Sequence, residues 1–295
     1  MTQRLQRTIN RPVDLSGVGF LTGADINLRF TPAGPDHGIA FLRTDRLYAP
    51  PVPALVEYTV PRQRRTAIQR CGVTIEMVEH VMAALAGLQI DNCLVELDGP
   101  EPPGCDGSSR LFAERLLSAG IVTQDRPRKC LSISRCLRVQ GDDGAQTISA
   151  DPADDGALTI GYSLDYGSDS PIVAQNARVR ITPESFLAEL AWSRTFILES
   201  EAQALRAQGY GKRTTARDLL IFGAQGVIDN ELRAENECAR HKLLDCLGDL
   251  ALIGCDLVGS VEASRSGHTL NAELVRRIRL AHAQEAWPQS ISRAA

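Results

Sequence analysis

A histidine and two aspartates recur at helical spacing within residues 236–250, and their side chains could bind a metal. His241 and Asp245 are four residues apart, and Asp249 follows one turn later. Residues at this spacing lie on one face of an α-helix. A nitrogen and an oxygen from such a pair can bind a divalent cation and leave other coordination positions open. Such a pair is more often a surface hydrogen bond, so a metal site also requires a third ligand and a base.

The helix that would carry these side chains is predicted over about 236–252, because leucines recur there at helical spacing. Similar patterns predict four more helices, at about 109–119, 183–191, 198–208 and 271–284, and little periodicity follows Trp287. Alternation of apolar and polar residues predicts strands. The expected strands are about 8–13, 24–30, 92–97, 130–139, 146–151, 158–165 and 255–263.

A further helix is predicted over 74–88, with Thr74 as its N-cap. Its early turns contain Glu79 and His80. Adjacent helical side chains point about 100° apart, so the two do not easily bind one metal together. One can bind the metal while the other reaches a water molecule beside it.

A weak internal repeat relates the two halves of the chain. Helical runs that begin at His80 and at His241 each continue through leucines and a glycine into an apolar strand. Two similar α+β domains with approximate two-fold symmetry would place the two helices face to face and supply the missing ligand. The charged, proline-containing segment 124–129 predicts a boundary between domains 1–126 and 127–285.

Composition excludes several classes of protein. With 295 residues, of which 43% are hydrophobic, the chain can bury a large core, and its net charge of −4 provides no global basic field for nucleic acid. No apolar run is long enough to span a membrane, and the N-terminus lacks the apolar core of a signal peptide. Eight cysteines without a C-x-x-C pair predict reduced, mostly buried thiols. We therefore expect a cytoplasmic protein.

The histidines and carboxylates combine into one hypothesis. His80, His241 and Asp245 would form a His₂Asp metal site with an open position, as in a hydrolytic zinc enzyme. Glu79 would be the general base. His268 would be a second titrating group, held in one tautomer by Asp249.

Six motifs follow one another between residues 4 and 280: Val78-Glu79-His80, Ala83–Asn92, Asp98–Ser108, Arg194-Thr195-Phe196, Arg240–Asp245 with Gly248–Leu250, and Ser266–His268 with Leu270-Asn271. In this combination the chain resembles the UDP-3-O-acyl-N-acetylglucosamine deacetylases of lipid A and lipopolysaccharide biosynthesis. The resemblance implies an α+β fold of two βααβ domains, with the helices between two mostly antiparallel sheets and the active site between the domains. It also implies that a segment around 192–220 is inserted in the second domain.

The resemblance further implies a role for each matching residue. The metal would be Zn²⁺, with Fe²⁺ as an alternative, and the substrate a UDP-linked acylated amino sugar. Thr195 would stabilise the oxyanion, and His268, supported by Asp249, would protonate the leaving amine. Lys242 and Arg265 would meet the charge of the substrate. The implied set is His80, His241 and Asp245 for the metal, Glu79, His268, Asp249, Thr195 and Lys242 for catalysis, and Tyr166, Arg265 and Phe196 for substrate binding.

The sequence also departs from the family pattern. The turn Gly19–Gly23 lacks the family's histidine, and Glu76-Met77 replaces the usual Ser/Thr-Thr before the Val-Glu-His motif. Segment 197–217 should build the passage for the acyl chain, but it is rich in charged residues. The basic run Arg62–Arg65 could face a phosphate or be a solvated edge.

The sequence therefore predicts a monomeric zinc amidohydrolase that deacetylates UDP-3-O-(3-hydroxyacyl)-N-acetylglucosamine and has no nucleic-acid partner. Two alternatives stay open. One is a deacetylase of another, less lipophilic UDP-amino sugar on the same scaffold, which the charged segment 197–217 favours. The other is a non-catalytic nucleotide-sugar-binding protein, which the complete set of metal and base residues disfavours.

Overall fold

The computed structural model describes residues 4–142 and 144–292, with the side chains described up to residue 284. The first half has two helices, α1 (Glu79–Gly87) and α2 (Arg110–Ala119). Its strands are β1 Leu5–Ile9, β2 Val13–Val18, β3 Asp25–Pro32, β4 Ile39–Arg43, β5 Val52–Pro53, β6 Thr59–Val60, β7 Ala67–Arg70, β8 Val73–Glu76, β9 Cys93–Leu97 and β10 Ile121–Pro127.

The second half has four helices: α3 (Pro183–Ser185, continued by a π-helical turn Phe186–Leu190), α4 (Glu199–Ala207), α5 (Glu237–Leu250) and α6 (His268–Ser292). Its strands are β11 Cys130–Ser132, β12 Leu137–Gln140, β13 Thr147–Asp151, β14 Leu158–Leu164, β15 Gln175–Arg180, β16 Phe196–Leu198, β17 Leu220–Gly223, β18 Gly226–Val227 and β19 Asp256–Ser264.

The two main sheets share one topology. Their strand orders are β2-β3-β9-β4-β5 and β12-β13-β19-β14-β15, so in each sheet the strand that comes last in the chain lies at the centre. The central strand pairs in parallel with the third strand, as β9 with β4 and β19 with β14. The other pairs along both orders are antiparallel. The predicted α+β fold of two similar halves is confirmed.

Helices α1, α2 and α5 form the layer between the two main sheets. Helix α2 packs on β2, α5 packs on β14 and β15, and α1 packs against α5. Eight of the nine residues of α1 and twelve of the fourteen residues of α5 are buried. Helices buried on all sides occupy the interior of a layered fold. The apolar side chains of both halves form one continuous core.

Helices α1 and α5 approach closely at Gly248. A Cβ atom at this position would lie 2.1 Å from the carbonyl oxygen of Glu79. Only a glycine leaves room for the backbone of the neighbouring helix here. The two helix backbones therefore come close together at Glu79, the residue predicted to be the general base.

Each half also carries a small three-stranded sheet, β6-β7-β8 in the first and β16-β17-β18 in the second. Along the chain, each small sheet comes after the fourth strand of the main sheet and before the helix that carries predicted site residues, α1 or α5. The predicted insertion around 192–220 falls on the second of these sheets. The predicted domain boundary near 126 stays a prediction; it falls within β10, which pairs with β1.

The first helix was predicted to begin too early. Residues 73–76 form strand β8, and α1 begins only at Glu79. The β-branched residues Val73, Thr74 and Ile75 favour a strand, and Cys71 and Gly72 have the positive φ angles of a tight hairpin turn. As a result, Glu79 and His80 are the first two residues of the helix.

Several other boundaries differ from the predictions. Predicted strands 8–13 and 130–139 are each divided between two strands, and α6 begins at His268 and continues past Trp287 to Ser292. Segment 209–217 is attached to turn 19–23, because Gly211 and Thr214 donate hydrogen bonds to backbone carbonyl oxygens of that turn. Of the eight cysteines, only three are fully buried: Cys93, Cys238 and Cys246.

The contact at Gly248 gives a stability prediction. Gly248→Ala should lower the free energy of unfolding by about 1–3 kcal/mol, because an overpacked contact forces the backbone to move. Thermal and denaturant unfolding would measure this. Gly34→Ala is the matched control, since a Cβ at Gly34 meets nothing within 4 Å. Equal stability of the two variants would contradict the close approach of α1 and α5.

Candidate active site

The three predicted ligands converge where α1 meets α5. The Nε2 atoms of His80 and His241 each lie 3.4 Å from Oδ1 of Asp245. The two imidazole rings are nearly perpendicular, with centroids 5.0 Å apart. All three side chains are buried, and one ligand atom from each lies within 4.8 Å of the others. The structure thus brings together one residue of the first half and two of the second.

The donor set fits a metal cation. Nε2 of His241 and Oδ1 of Asp245 are buried without any hydrogen-bond partner, and leaving such atoms unpaired is costly. Two ligands about 2.0–2.1 Å from a tetrahedral Zn²⁺ are about 3.4 Å apart, which matches the observed separations. A cation would therefore pair the unpaired atoms without rearrangement of the ligands.

The environment of His241 prepares it as a ligand. Its Nδ1–H donates to the carbonyl oxygen of Ser193 at 3.1 Å, which leaves the lone pair on Nε2. Burial lowers the pKa of His241 to about 3. The ring is therefore neutral at physiological pH, the form that binds metals.

Asp245 is held as a carboxylate with one free oxygen. Burial acts to raise its pKa, but the basic groups around it, among them Lys242 and His268, outweigh burial and hold the pKa well below its usual range. Nζ of Lys242 donates to Oδ2 at 2.8 Å. Oδ1 therefore faces the two histidines alone, as a monodentate ligand would.

Glu79 lies beside the metal cluster but belongs to a different set of contacts. Its Oε2 accepts the backbone N–H of Thr66 at 3.1 Å, and its Oε1 lies 3.9 Å from Nε2 of His268. Burial raises the pKa of Glu79. A buried carboxylate with a raised pKa beside an imidazole suits general acid–base chemistry.

His268 and Asp249 form the second titrating unit that the sequence predicts. Nδ1 of His268 lies 2.9 Å from Oδ2 of Asp249, and this oxygen also accepts from Asn271 at 2.8 Å. Burial acts to lower the pKa of His268, but Asp249 and Glu79 raise it to about 9. His268 is therefore protonated near neutrality, with Nε2 directed to the Glu79 side.

Aromatic side chains line the approach to the cluster. The ring centroid of Phe196 lies 6.2 Å from His241 and 6.0 Å from Tyr166, and Nζ of Lys242 lies 5.8 Å above the Phe196 ring. Tyr166 is 43% exposed. Thr195 directly precedes strand β16, and its backbone N–H donates to the carbonyl oxygen of Gly107 at 2.8 Å.

Arg265 stands apart from the metal cluster. Its guanidinium is partly exposed and pairs with Asp165 at 2.7 Å. Asp165 is the residue before Tyr166 in the chain. Its position is compatible with a charged substrate at the rim of the cleft. Its role stays a prediction.

Three positioning contacts were not found from the sequence. The hydroxyl of Thr66 lies 2.5 Å from Oδ1 of Asp249 and 3.0 Å from Nδ1 of His268. The Ser193 carbonyl and the Asn271 amide hold His241 and Asp249. Asn271 was noted only as part of a motif, and no pattern in the chain marks Thr66 or a backbone carbonyl as part of a site.

Comparison with known proteins supplies the family. The model of the LpxC family, UDP-3-O-acyl N-acetylglycosamine deacetylase, matches residues 6–279. The chain belongs to this family. It is 36% identical over 275 residues to a UDP-3-O-acyl-N-acetylglucosamine deacetylase of Myxococcus xanthus, covering 92% of this chain and 86% of that one.

Other LpxC relatives are similarly close. A UDP-3-O-acyl-N-acetylglucosamine deacetylase of Anaeromyxobacter sp. is 36% identical over 94% of this chain and 90% of its own. A "Bifunctional enzyme LpxC/FabZ" of Chlorobaculum tepidum is 38% identical over 93% of this chain, which covers 64% of that longer protein. In the described part of the chain, every helix is too short or too polar to cross a bilayer.

The cluster gives a metal-binding prediction. His241→Ala should weaken Zn²⁺ binding by more than about 100-fold, because it removes a ligand and leaves Asp245 and His80 as an incomplete set. Metal content after dialysis and a competitive chelator titration would measure this. His282→Ala is the control, since His282 is exposed on α6. Undiminished binding in His241→Ala would rule out this site.

The His268–Asp249 pair gives a pH prediction. Activity that needs protonated His268 should be present below the raised pKa and fall as the pH rises toward 9. Asp249→Asn should move this decline to lower pH, because burial then lowers the pKa without an opposing carboxylate. The pH profile of kcat would show it. A decline at the same pH in both proteins would exclude His268 as the group responsible.

Proposed function

We propose that this chain is a zinc-dependent hydrolase that removes the N-acetyl group of UDP-3-O-(3-hydroxyacyl)-N-acetylglucosamine, the committed step of lipid A biosynthesis. The observation that carries the proposal is the buried His80, His241 and Asp245 cluster, with its two unpaired atoms, beside Glu79 and His268. Family membership supplies the substrate. Fe²⁺ could occupy the same ligands, since imidazole and carboxylate bind both metals.

The ligands would hold the metal through Nε2 of each histidine and Oδ1 of Asp245. When bound, the metal supplies Lewis acidity for hydrolysis of the amide. Glu79 accepts the proton of the attacking water, as its place beside the ligands allows. Protonated His268 donates to the amine as the C–N bond breaks, so that water and amide become acetate and amine. Thr195 donates to the oxyanion.

The surroundings of the cluster suit an acylated nucleotide sugar. Lys242, Tyr166 and Phe196 would contact the sugar nucleotide, with Arg265 at the rim. In the small sheet, β16 and β17 consist of apolar residues up to the terminal Gly223, while α4 has no buried residue. The charges of segment 197–217 thus lie largely on α4 and the following loop, so an acyl chain would contact the half-buried apolar side chains of β16.

One ion pair would narrow the opening through which a substrate reaches the proposed active site. Arg64 of the first half pairs with Glu201 of α4 at 2.5 Å, close to Tyr166. The same basic run contributes Arg62 and Arg65, which pair with Glu76 rather than with a ligand. The alternative substrate, a less lipophilic UDP-amino sugar, rests on this bridge. We further propose a cytoplasmic monomer with domains 1–126 and 127–285.

The test is acetate release from UDP-3-O-(3-hydroxyacyl)-N-acetylglucosamine by the zinc-loaded protein. Glu79→Ala should lower kcat by about 100- to 10,000-fold, because it removes the general base, and a chelator should abolish release. Glu114→Gln is the control, since this glutamate is 58% exposed on α2.

The outcomes separate the candidates. Release of acetate only from a sugar without the 3-O-acyl chain would favour the alternative substrate. No release from either sugar by a protein that binds one zinc would reject the proposed function. Full activity of Glu79→Ala would reject the mechanism.

A further inference from the structure

We propose that Thr66 is a positioning residue that holds the general base and the His268–Asp249 pair in one fixed arrangement. The proposal rests on the proposed function and assigns a role to a residue outside the predicted set. Thr66 is 5% exposed and lies directly before β7.

Its main chain fixes Glu79. The Thr66 N–H donates to Oε2 of Glu79, and the Thr66 carbonyl accepts the N–H of Val78 at 3.3 Å. These two bonds span the first residue of α1 and its N-cap. Because the Thr66 N–H is bonded to Oε2, the other carboxylate oxygen of Glu79, Oε1, is the one that faces His268.

Its hydroxyl fixes the other group. A carboxylate only accepts hydrogen bonds, so the single hydroxyl proton of Thr66 is donated to Oδ1 of Asp249. The hydroxyl oxygen then faces Nδ1 of His268, whose proton lies between Thr66 and Oδ2 of Asp249. This arrangement keeps a proton on Nδ1, so that the proton that His268 can give up is the one on Nε2, and it sets the plane of the ring.

The hairpin makes the position of Thr66 rigid. Strands β7 and β8 pair in the register Ala67 with Glu76, and Glu76 holds Arg62 and Arg65 of the preceding segment. Thr66 is thus carried by the small sheet of the first half and contacts α1, α5 and α6. Proton transfer is sensitive to such spacing.

The first test compares Thr66→Val, which keeps the shape but removes the hydroxyl, with Thr66→Ser, which keeps the hydroxyl. Thr66→Val should lower kcat by about 10- to 100-fold with little change in KM, and Thr66→Ser should stay within about threefold of the parent protein. Thr59→Val is the matched control, because the Thr59 hydroxyl in β6 bonds only Val56 and Arg276 in the structure.

A double-mutant cycle separates positioning from general stability. Added to Asp249→Asn, Thr66→Val should cause little further loss of kcat, because both changes act through His268. Independent, multiplicative losses would overturn the proposal. So would a Thr66→Val protein with unchanged kcat, or one whose whole loss is explained by lower zinc content or stability.

A spectroscopic test does not depend on turnover. In zinc-loaded protein with ¹⁵N-labelled histidine, the chain has only five histidines to assign, and His268→Gln identifies one of them. Thr66→Val should shift the His268 Nδ1 resonance and leave those of His37 and His282 unchanged. An unshifted His268 resonance would overturn the proposal even if the substrate were different, whereas inactivity of the parent protein alone would count against the proposed function.

Discussion

The close approach of α1 and α5 is the contact on which the site depends. Neither α1 nor α5 by itself carries the complete set of proposed ligands: His80 is the second residue of α1, while His241 and Asp245 are one turn apart on α5. The 3.4 Å separation between Nε2 of His80 and Oδ1 of Asp245 joins the two helices, and Gly248 lets their backbones approach closely at the carbonyl of Glu79. A buried glycine in a helix is unfavourable by about 1 kcal/mol relative to alanine, so packing outweighs propensity here.

Burial gives neighbouring groups opposite protonation states. His241 has no carboxylate that outweighs desolvation, so its pKa falls and it is neutral. His268 faces both Asp249 and Glu79, so its pKa rises and it is a cation. The two histidines of this buried site are thus suited to the separate roles proposed for them, a neutral metal ligand for His241 and a proton donor for His268, because of the carboxylates that surround each.

Much of this arrangement could be predicted from the sequence, and the limits are physical. Helical spacing identified α5 and its ligand pair, and the repeat of strands and helices indicated two similar halves. The predicted start of α1 was wrong because the sequence Val73–Glu76 fits a strand as well as a helix, and pairing with β7 makes it a strand. The positioning role of Thr66 could not be predicted from the sequence, because it comes from contacts with residues 13, 183 and 202 positions away. Whether segment 197–217 admits an acyl chain was also beyond the sequence, since its charges could face either side.

The small sheets occupy the same topological position in both halves, and an ion pair between Arg64, which lies between β6 and β7, and Glu201 of α4 joins the two halves close to Tyr166. Arg64 is 60% exposed in this pair, so its contribution is on the order of 1 kcal/mol or less. The attraction is also screened over about 8 Å at physiological ionic strength. This contact between the two halves is therefore weakened by salt, while the buried charges of the site are screened much less.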